Sequence, residues 1–260
     1  METTKNLISV IVAVKNGEGT IRKTIESFIS QTYPLKELII IDGNSNDKTR
    51  SIINEFEKAI SYWESSDDTG IYHAWNKALL HVKGEWICFI GADDYFSNTY
   101  SLQNLFNNTK DDKNEMDLVI GKIKLIDIHG NILKSIGTKW DWEKLKRWQN
   151  VAHPGMLHNR KLFKKYGFFN ETYKIAGDYD FLLRLGKNIN TRFINQTIVH
   201  MGNSGLSNKN VLTAFLETRK IQVKHKEVGI LKANINFLWA LFKFYSKKLL
   251  FASSKPGFFK

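Results

Sequence analysis

Four compact apolar runs in the first 90 residues, Leu7–Val14, Leu38–Ile41, Ile60–Glu64 and Trp86–Ile90, alternate with longer amphipathic stretches. Strands buried on both faces read as continuous apolar runs and covering helices as stripes at three- and four-residue spacing, so this rhythm predicts a mostly parallel sheet flanked by helices, an α/β fold. Ile21, Ile25, Phe28 and Ile29 mark the first helix. Ile52, Ile53 and Phe56 mark a second, with Asn46 or Asp47 as its cap, and Ile71, Trp75, Ala78, Leu79 and Val82 mark a third.

The runs end in acids. Asp42, Asp67, Asp68, Asp93 and Asp94 sit immediately beyond predicted strand ends. Parallel strands share the edge formed by their carboxyl ends, and ligands of open α/β sheets bind there. Carboxylates gathered at one edge repel one another unless cations or donors compensate them, and a hard divalent ion carrying a phosphorylated ligand is the plainest compensation. Taken singly, each aspartate is also an ordinary turn or cap residue. The adjacent pair Asp93-Asp94 after a buried strand points more firmly to function. No Gly-x-Gly-x-x-Gly follows the first strand and no Gly-x-x-x-x-Gly-Lys-Ser/Thr loop occurs, which removes the usual support for dinucleotide oxidoreductases and for ATPases or GTPases.

A length of 260 residues fits one core with an appendage, and 42% hydrophobic with 25% charged residues excludes a disordered or collagenous chain. The net charge of +12 is concentrated at the end: residues 209–260 hold 11 basic residues against two acids. The body is nearly balanced. The one cysteine, Cys88, lies in an apolar run, as a small buried thiol does in a reducing compartment. The apolar stretch at the amino end is too short for a secretory leader and no cleavage pattern follows it, so the expected location is cytoplasmic.

Between residues 118 and 136 the pattern becomes strand-rich, with His129-Gly130-Asn131 as a hairpin turn, so a mixed sheet extends the parallel one. Residues 139–158 concentrate Trp140, Trp142, Trp148, His153, Met156 and His158. The rings could stack on a sugar or form a core flap, and His153 could line a pocket or bond to the backbone. No convincing zinc spacing is present. Gly177-Asp178-Tyr179-Asp180 opens a helix; one carboxylate could cap it while the other serves as a general base. Arg192 and His200 could meet phosphate or acceptor, or be ordinary surface groups.

Taken together and in order, several segments resemble the family 2 inverting glycosyltransferases of GT-A fold over about residues 7–205. They are the opening strand through Asn16, Ser30-Gln31-Thr32-Tyr33-Pro34, Ile41-Asp42-Gly43-Asn44-Ser45-Asn46-Asp47-Lys48-Thr49, Ser65-Ser66-Asp67-Asp68-Thr69-Gly70-Ile71-Tyr72-His73-Ala74-Trp75-Asn76-Lys77, Gly91-Ala92-Asp93-Asp94 and Gly177-Asp178-Tyr179-Asp180. The resemblance implies residues 1–205 as the catalytic domain and 206–260 as a basic helical extension. It implies a nucleotide-diphosphate sugar bound by Val14, Asn16, Asp42, Asp68, Asn76 and Asp93. Asp93 and Asp94 would hold Mg2+ or Mn2+, and Asp178 would be the base. Trp140, Trp142, His153 and Asp180 are the candidates for a saccharide or lipid-linked saccharide acceptor in polysaccharide or lipopolysaccharide assembly. Gly91 stands where many members carry an acid or amide, leaving Asp-x-Asp incomplete and permitting a water-rich metal shell. Gly177 stands where many carry glutamate.

Residues 211–228 and 234–251 read as helices. In the second, Phe237, Leu238, Ala240, Leu241, Phe242, Phe244, Tyr245, Leu249 and Phe251 share a broad face opposite Lys243, Ser246 and Lys247. Its length suits an interface better than a crossing. The expectations are peripheral contact with an anionic membrane surface on the cytoplasmic face of the inner membrane, or core closure, or a homodimer. Two other functions compete. A nucleic-acid-binding module would use the +12 charge and seven tryptophans, but no recognition signature is present and the presumed site is acidic, so no nucleic acid is expected. A sugar-phosphate nucleotidyltransferase would need a basic phosphate-gripping loop, and Lys15-Asn16-Gly17-Glu18-Gly19 has one lysine.

Overall fold

A computed structural model describes residues 4–110, 115–203, 205, 210–225 and 228–253, with the side chains of 247–253 excepted. The helix-face expectations at Lys247, Leu249 and Phe251, and the domain boundary at 206, lie outside what is described. Strands β1 (Thr4–Val14), β2 (Lys36–Asp42), β3 (Tyr62–Ser65) and β4 (Gly84–Gly91) run parallel in the order β3-β2-β1-β4. The sheet continues through β8 (Met156–Asn159), β6 (Leu118–Ile126), β9 (Thr191–Gly202) and β5 (Tyr95–Phe96), with β7 (Ile132–Ile136) hairpinned onto β6. Pairing is parallel again between β6 and β9 and antiparallel at β8 and β5. The hairpin turn is held by Asp127, whose carboxylate accepts from the backbone N–H of His129 and Asn131 while Gly130 takes φ +83°.

Both faces of the parallel strands are buried, and residues two apart face the same side. Val10, Val12, Leu38, Ile40, Cys88 and Ile90 meet α1 (Ile21–Ile29), α2 (Thr49–Glu55) and α4 (Ser101–Phe106). Ile11, Ile39, Ile41, Ile87 and Phe89 meet α3 (Ile71–His81) and α7 (Gly177–Leu185) across an aromatic cluster of Trp75, Phe163, Phe169 and Phe181. Burial pushes the Cys88 thiol up to about 12, which makes it an inert core residue.

Three local expectations shift. The third strand begins at Tyr62 instead of Ile60. On α1 the buried stripe is Ile21, Thr24, Ile25 and Phe28, while Ile29 is 42% exposed. The segment read as a sugar platform or core flap holds one short helix, α5 (Trp142–Leu145), and most of β8, a four-residue strand between β4 and β6, after which α6 (Lys161–Tyr166) follows in the chain. Met156-Leu157-His158-Asn159 has no apolar run to announce it. Its backbone is recruited by two long neighbours that need partners.

Helix α8 (Val211–Lys224) is stitched to the body. The Glu217 carboxylate accepts the backbone N–H groups of Lys174, Ile175 and Ala176, and Ile221 and Gln222 are buried. Helix α9 (Ile230–Ser253) packs on α8. Among the described residues no helix is long and apolar enough to cross a membrane.

Candidate functional site

The strand register brings the acidic loops to one edge. Val14 on β1 pairs with Asp42 on β2, Asp42 with Ser65 on β3, and Ala13 with Gly91 on β4. The loops after β1 and β2 are knitted together: Asn16 N–H donates to Ser45 Oγ at 2.7 Å, Asn46 N–H to Asn16 Oδ1 at 2.9 Å, and Gly17 N–H to Thr49 Oγ1 at 2.8 Å. Asn16 takes φ +52° to make that turn, which asparagine tolerates better than most residues. The N-cap of α2 is Lys48 instead of the expected Asn46 or Asp47, and Asp47, one residue earlier, accepts from Thr49 N–H at 2.9 Å. Val14 is buried, and its carbonyl accepts from Gly43 N–H at 2.8 Å.

Asp42 is fully buried. Its carboxylate accepts from Ser45 N–H at 3.0 Å, from Ser65 Oγ at 2.6 Å and from the Ser45 hydroxyl, so in this conformation it braces the loop instead of presenting an oxygen to a base. Asp68 lies over Gly43, where a Cβ would stand 2.4 Å from its Oδ2, and its Oδ1 accepts from Gly70 N–H at the start of α3. Asp67 is exposed and accepts from the Asn44 amide.

Asp93 and Asp94 divide the work after β4. Asp94 is buried, with Oδ2 on Gly91 N–H at 2.7 Å and Oδ1 on Gly202 N–H at 3.1 Å. Burial, then the neighbouring Asp93 charge, raises its carboxyl to about 7. Asp93 is half-buried and packs against Gly202, where a Cβ would fall 2.3 Å from its Oδ2. A Cβ at Gly91 would stand 3.0 Å from Asp94 Oδ2 and 3.1 Å from Asp93 Oδ1. The missing side chain therefore lets two carboxylates converge. Among the described residues no cluster of three or more His, Cys, Asp or Glu could hold a metal ion. Two carboxylates with no third ligand suit Mg2+ or Mn2+ that keeps its waters and takes further oxygens from a substrate phosphate. From the far side Thr24 Oγ1 donates to the carbonyls of Ala92 and Asp94, fixing the loop to α1.

Asp178 lies in the first turn of α7, beside the start of α3. Tyr72 Oη reaches Ile175 O at 2.5 Å and Asp178 Oδ1 at 3.2 Å, and Gln149 Nε2 donates to Asp178 Oδ2 at 2.9 Å. Backbone N–H groups at the start of α7 add to these side-chain donors. Desolvation raises the Asp178 carboxyl above its usual 3.8, and the bonds from Gln149, the backbone and Tyr72 oppose but do not cancel it. Gly177 makes the arrangement possible: a Cβ there would be 2.7–2.9 Å from the Tyr72 ring.

Other candidates are drawn elsewhere. Asn76 is buried and clamps the loop before α7, with Nδ2 donating to Phe169 O and Glu171 Oε1 and Oδ1 accepting from Phe169 N–H, so both amide hydrogens are committed to this loop instead of a nucleotide. Trp142 lies in the core and Trp140 packs against it. Neither ring nitrogen of His153 has a hydrogen-bond partner among the described residues. It is 2% exposed, stacks on Trp75 at 5.0 Å, and burial lowers it to about 3, so it is neutral. Asp180 is buried in α7 and paired with Arg184 Nε at 3.1 Å, one turn on. These burials leave Trp142, His153 and Asp180 no face for an acceptor. His200, bonded to Tyr95 Oη at 3.2 Å, lies near the Gly202 end of β9, whereas Arg192 starts that strand, far from the acidic edge.

Asn76→Ala is expected to cost about 1–3 kcal/mol by leaving the buried Phe169 backbone unpaired. Chemical denaturation should register that loss while nucleotide-sugar affinity measured by calorimetry changes little.

Tyr72, Gln149, Thr24, Gly202 and Glu217 were not singled out from the sequence. Only Tyr72 had a signal, because it sits in the Gly70-Ile71-Tyr72 segment that also carries Asn76. The other four act through partners between 29 and 108 residues away.

The family model described as Glycosyl transferase family 2 matches residues 9–181. A PGL/p-HBAD biosynthesis glycosyltransferase of Mycobacterium bovis is 28% identical over 225 residues, covering 81% of this chain and 83% of its own length. An uncharacterized glycosyltransferase of Rickettsia typhi is 30% identical over 185 residues, covering 67% of this chain and 57% of its own. The fold is shared with solved GT-A structures. TarS 1-349 of S. aureus in complex with UDP-GlcNAc has a TM-score of 0.67 at 18% identity, over 92% of this chain and 73% of that one. The mannosyltransferase PcManGT of Pyrobaculum calidifontis, in complex with GDP-Man and Mn2+, has 0.61 at 17%, over 96% and 76%.

Proposed function

The chain belongs to glycosyl transferase family 2, and from that membership we propose that it moves a sugar from a nucleotide-diphosphate sugar to a hydroxyl of a saccharide or lipid-linked saccharide, inverting the anomeric carbon, with Asp178 as general base. The observation that carries this reading is the setting of Asp178: it is held from both sides by Tyr72 and Gln149, and it starts a helix beside the loops that carry Asp68 and Gly70. The nucleotide sugars bound by the two solved relatives support a donor of that class.

In this mechanism the acceptor hydroxyl lies within hydrogen-bond reach of an Asp178 oxygen and gives up its proton as its oxygen attacks the anomeric carbon. The bond to the diphosphate breaks on the opposite face, and one direct displacement inverts the centre. Asp93, backed by the buried Asp94, would hold the divalent ion. When bound, that ion neutralises charge on the departing diphosphate. Asp42, Ser45 and Ser65 keep the loop above β2 in shape.

The test is a panel of nucleotide sugars and acceptors with Mg2+ or Mn2+, with product detected by mass. Release of free nucleoside diphosphate together with a glycosylated product is expected; release of pyrophosphate would identify a nucleotidyltransferase instead.

The pH dependence has a determined sign. Asp178 must be ionised to accept a proton, and desolvation raises its carboxyl, so the acid limb of kcat/KM should be displaced upward from the ordinary aspartate value of 3.8. Gln149→Leu removes a bond that favours the ionised form and should move that limb to still higher pH. A limb unmoved by Gln149→Leu would take the base role away from Asp178.

A further inference from the structure

The apolar stripe of α9 is partly walled. Leu231, Ile235, Leu238, Phe242 and Tyr245 follow one another at helical spacing and are 75%, 57%, 64%, 62% and 51% exposed. Residues 143–148 stand opposite the middle of this stripe, and between them lies a cavity of about 730 Å3. Its apolar lining includes Trp148, Ile235, Leu238, Trp239 and Phe242. That volume is in the range of small-molecule sites.

The charge around it is one-sided. Lys146, Arg147 and Lys232 line the groove, and Lys243 Nζ lies 5.1 Å from the Trp239 ring centroid and 5.8 Å from that of Trp148. Among the described residues lining it, the one acid is Glu143, held by Lys146 at 2.8 Å. An apolar trough with a cationic rim is complementary to an amphiphile whose head is an anion.

The groove is also joined to the candidate active site. The carbonyl of Arg147 accepts from the buried Gln222 at 2.8 Å, which fixes this wall to α8. The residue after Trp148 is Gln149, whose side chain bonds Asp178. One short segment thus forms the wall of the groove and touches the proposed base.

We propose that this groove is the lipid subsite of the acceptor: the hydrocarbon chain of a lipid-phosphate-linked saccharide lies along Trp148, Trp239 and Phe242, its phosphate meets Arg147 and Lys232, and its saccharide reaches Asp178. This rests on the glycosyltransferase reading and narrows its acceptor to an anionic lipid-linked one. A recess walled on two sides suits an inserted chain better than a flat bilayer, which needs a protruding stripe. Phosphate on the lipid accounts for cations beside the apolar floor, which a neutral glycolipid does not.

The test uses the full chain with monomeric farnesyl phosphate as the probe, read by tryptophan fluorescence and calorimetry, against farnesol and inorganic phosphate. Farnesyl phosphate should bind about tenfold or more tighter than either. Arg147→Gln with Lys232→Gln should erase most of the preference over farnesol. Trp239→Ala with Phe242→Ser should weaken both lipids about tenfold. These side chains are largely exposed, and circular dichroism and thermal melting check that each variant folds.

Equal binding of farnesol and farnesyl phosphate, or no binding of either, overturns the proposal. So does recovery on anionic vesicles without binding of the monomeric probe, which makes the face a bilayer contact. A concentration-dependent dimer abolished by Trp239→Ala also overturns it, since a second copy would then fill the groove. Nucleoside diphosphate release from the nucleotide-sugar panel by the unaltered chain separates the two claims. Release without farnesyl phosphate binding rejects the groove alone, and absence of release across the panel rejects the glycosyltransferase reading beneath it.

Discussion

Asp178→Asn should lower transfer by about 10²–10⁴-fold while nucleotide-sugar affinity stays near that of the unaltered chain, because general-base assistance is worth roughly that factor and the amide cannot take a proton at neutral pH. The variant should not lose stability. A carboxyl whose folded pKa lies above its unfolded value costs stability in its ionised form, and that cost grows as pH rises through 3.8 and persists above the folded pKa. Replacing it with a neutral isostere removes the cost, and the amide oxygen can still accept from Gln149 or Tyr72. Thermal melting at neutral pH should give an unchanged or slightly higher Tm. The combination of lost kcat, retained donor binding and retained Tm distinguishes a base from a structural carboxylate. Turnover equal to that of the unaltered enzyme would remove Asp178 from the mechanism.

Gly177→Ala should both destabilise the protein and slow it. The added methyl would fall within 2.9 Å of three atoms of the Tyr72 ring, which is 3% exposed and packed against Trp75 and Phe169. Overpacking of this kind costs about 1–3 kcal/mol. Displacing the ring also breaks the Tyr72 bonds to Ile175 O and Asp178 Oδ1, so the proposed base loses one of its two side-chain donors. Tyr72→Phe serves as the comparison. It keeps the ring, should cost less stability, and should shift the acid limb of the pH profile upward, because the hydroxyl favours ionised Asp178. An alanine variant with unchanged Tm would mean that the ring has room to move. The glycine at 177 has its own physical reason, which is the space it leaves for the Tyr72 ring.

The parallel half of the sheet was legible because its strands are buried on both faces and therefore written as apolar runs. Leu7–Val14 lies within β1, Leu38–Ile41 within β2 and Trp86–Ile90 within β4. The same logic placed the acidic loops at one edge, since parallel strands in register must end together. It failed at β8, whose Met156-Leu157-His158-Asn159 carries no periodic signal. The tryptophans and histidines of residues 139–158 were legible as a concentration of rings, yet their chemistry depended on which were enclosed: Trp142 and His153 are buried, whereas Trp148 is 47% exposed beside α9.

By itself the sequence determined the α/β alternation, the acid-bearing strand ends and the order of segments that place the chain in its family, because each of these is a local pattern read along the chain. Tertiary structure decided which acids face inward and which outward. Asp42 and Asp94 spend their oxygens on hydroxyl and backbone donors, Asp180 is paired with an arginine, and Asp178 is held between a tyrosine 106 residues before it and a glutamine 29 residues before it. A carboxylate's role follows from its donors and its access to water, and distant segments of the chain supply both.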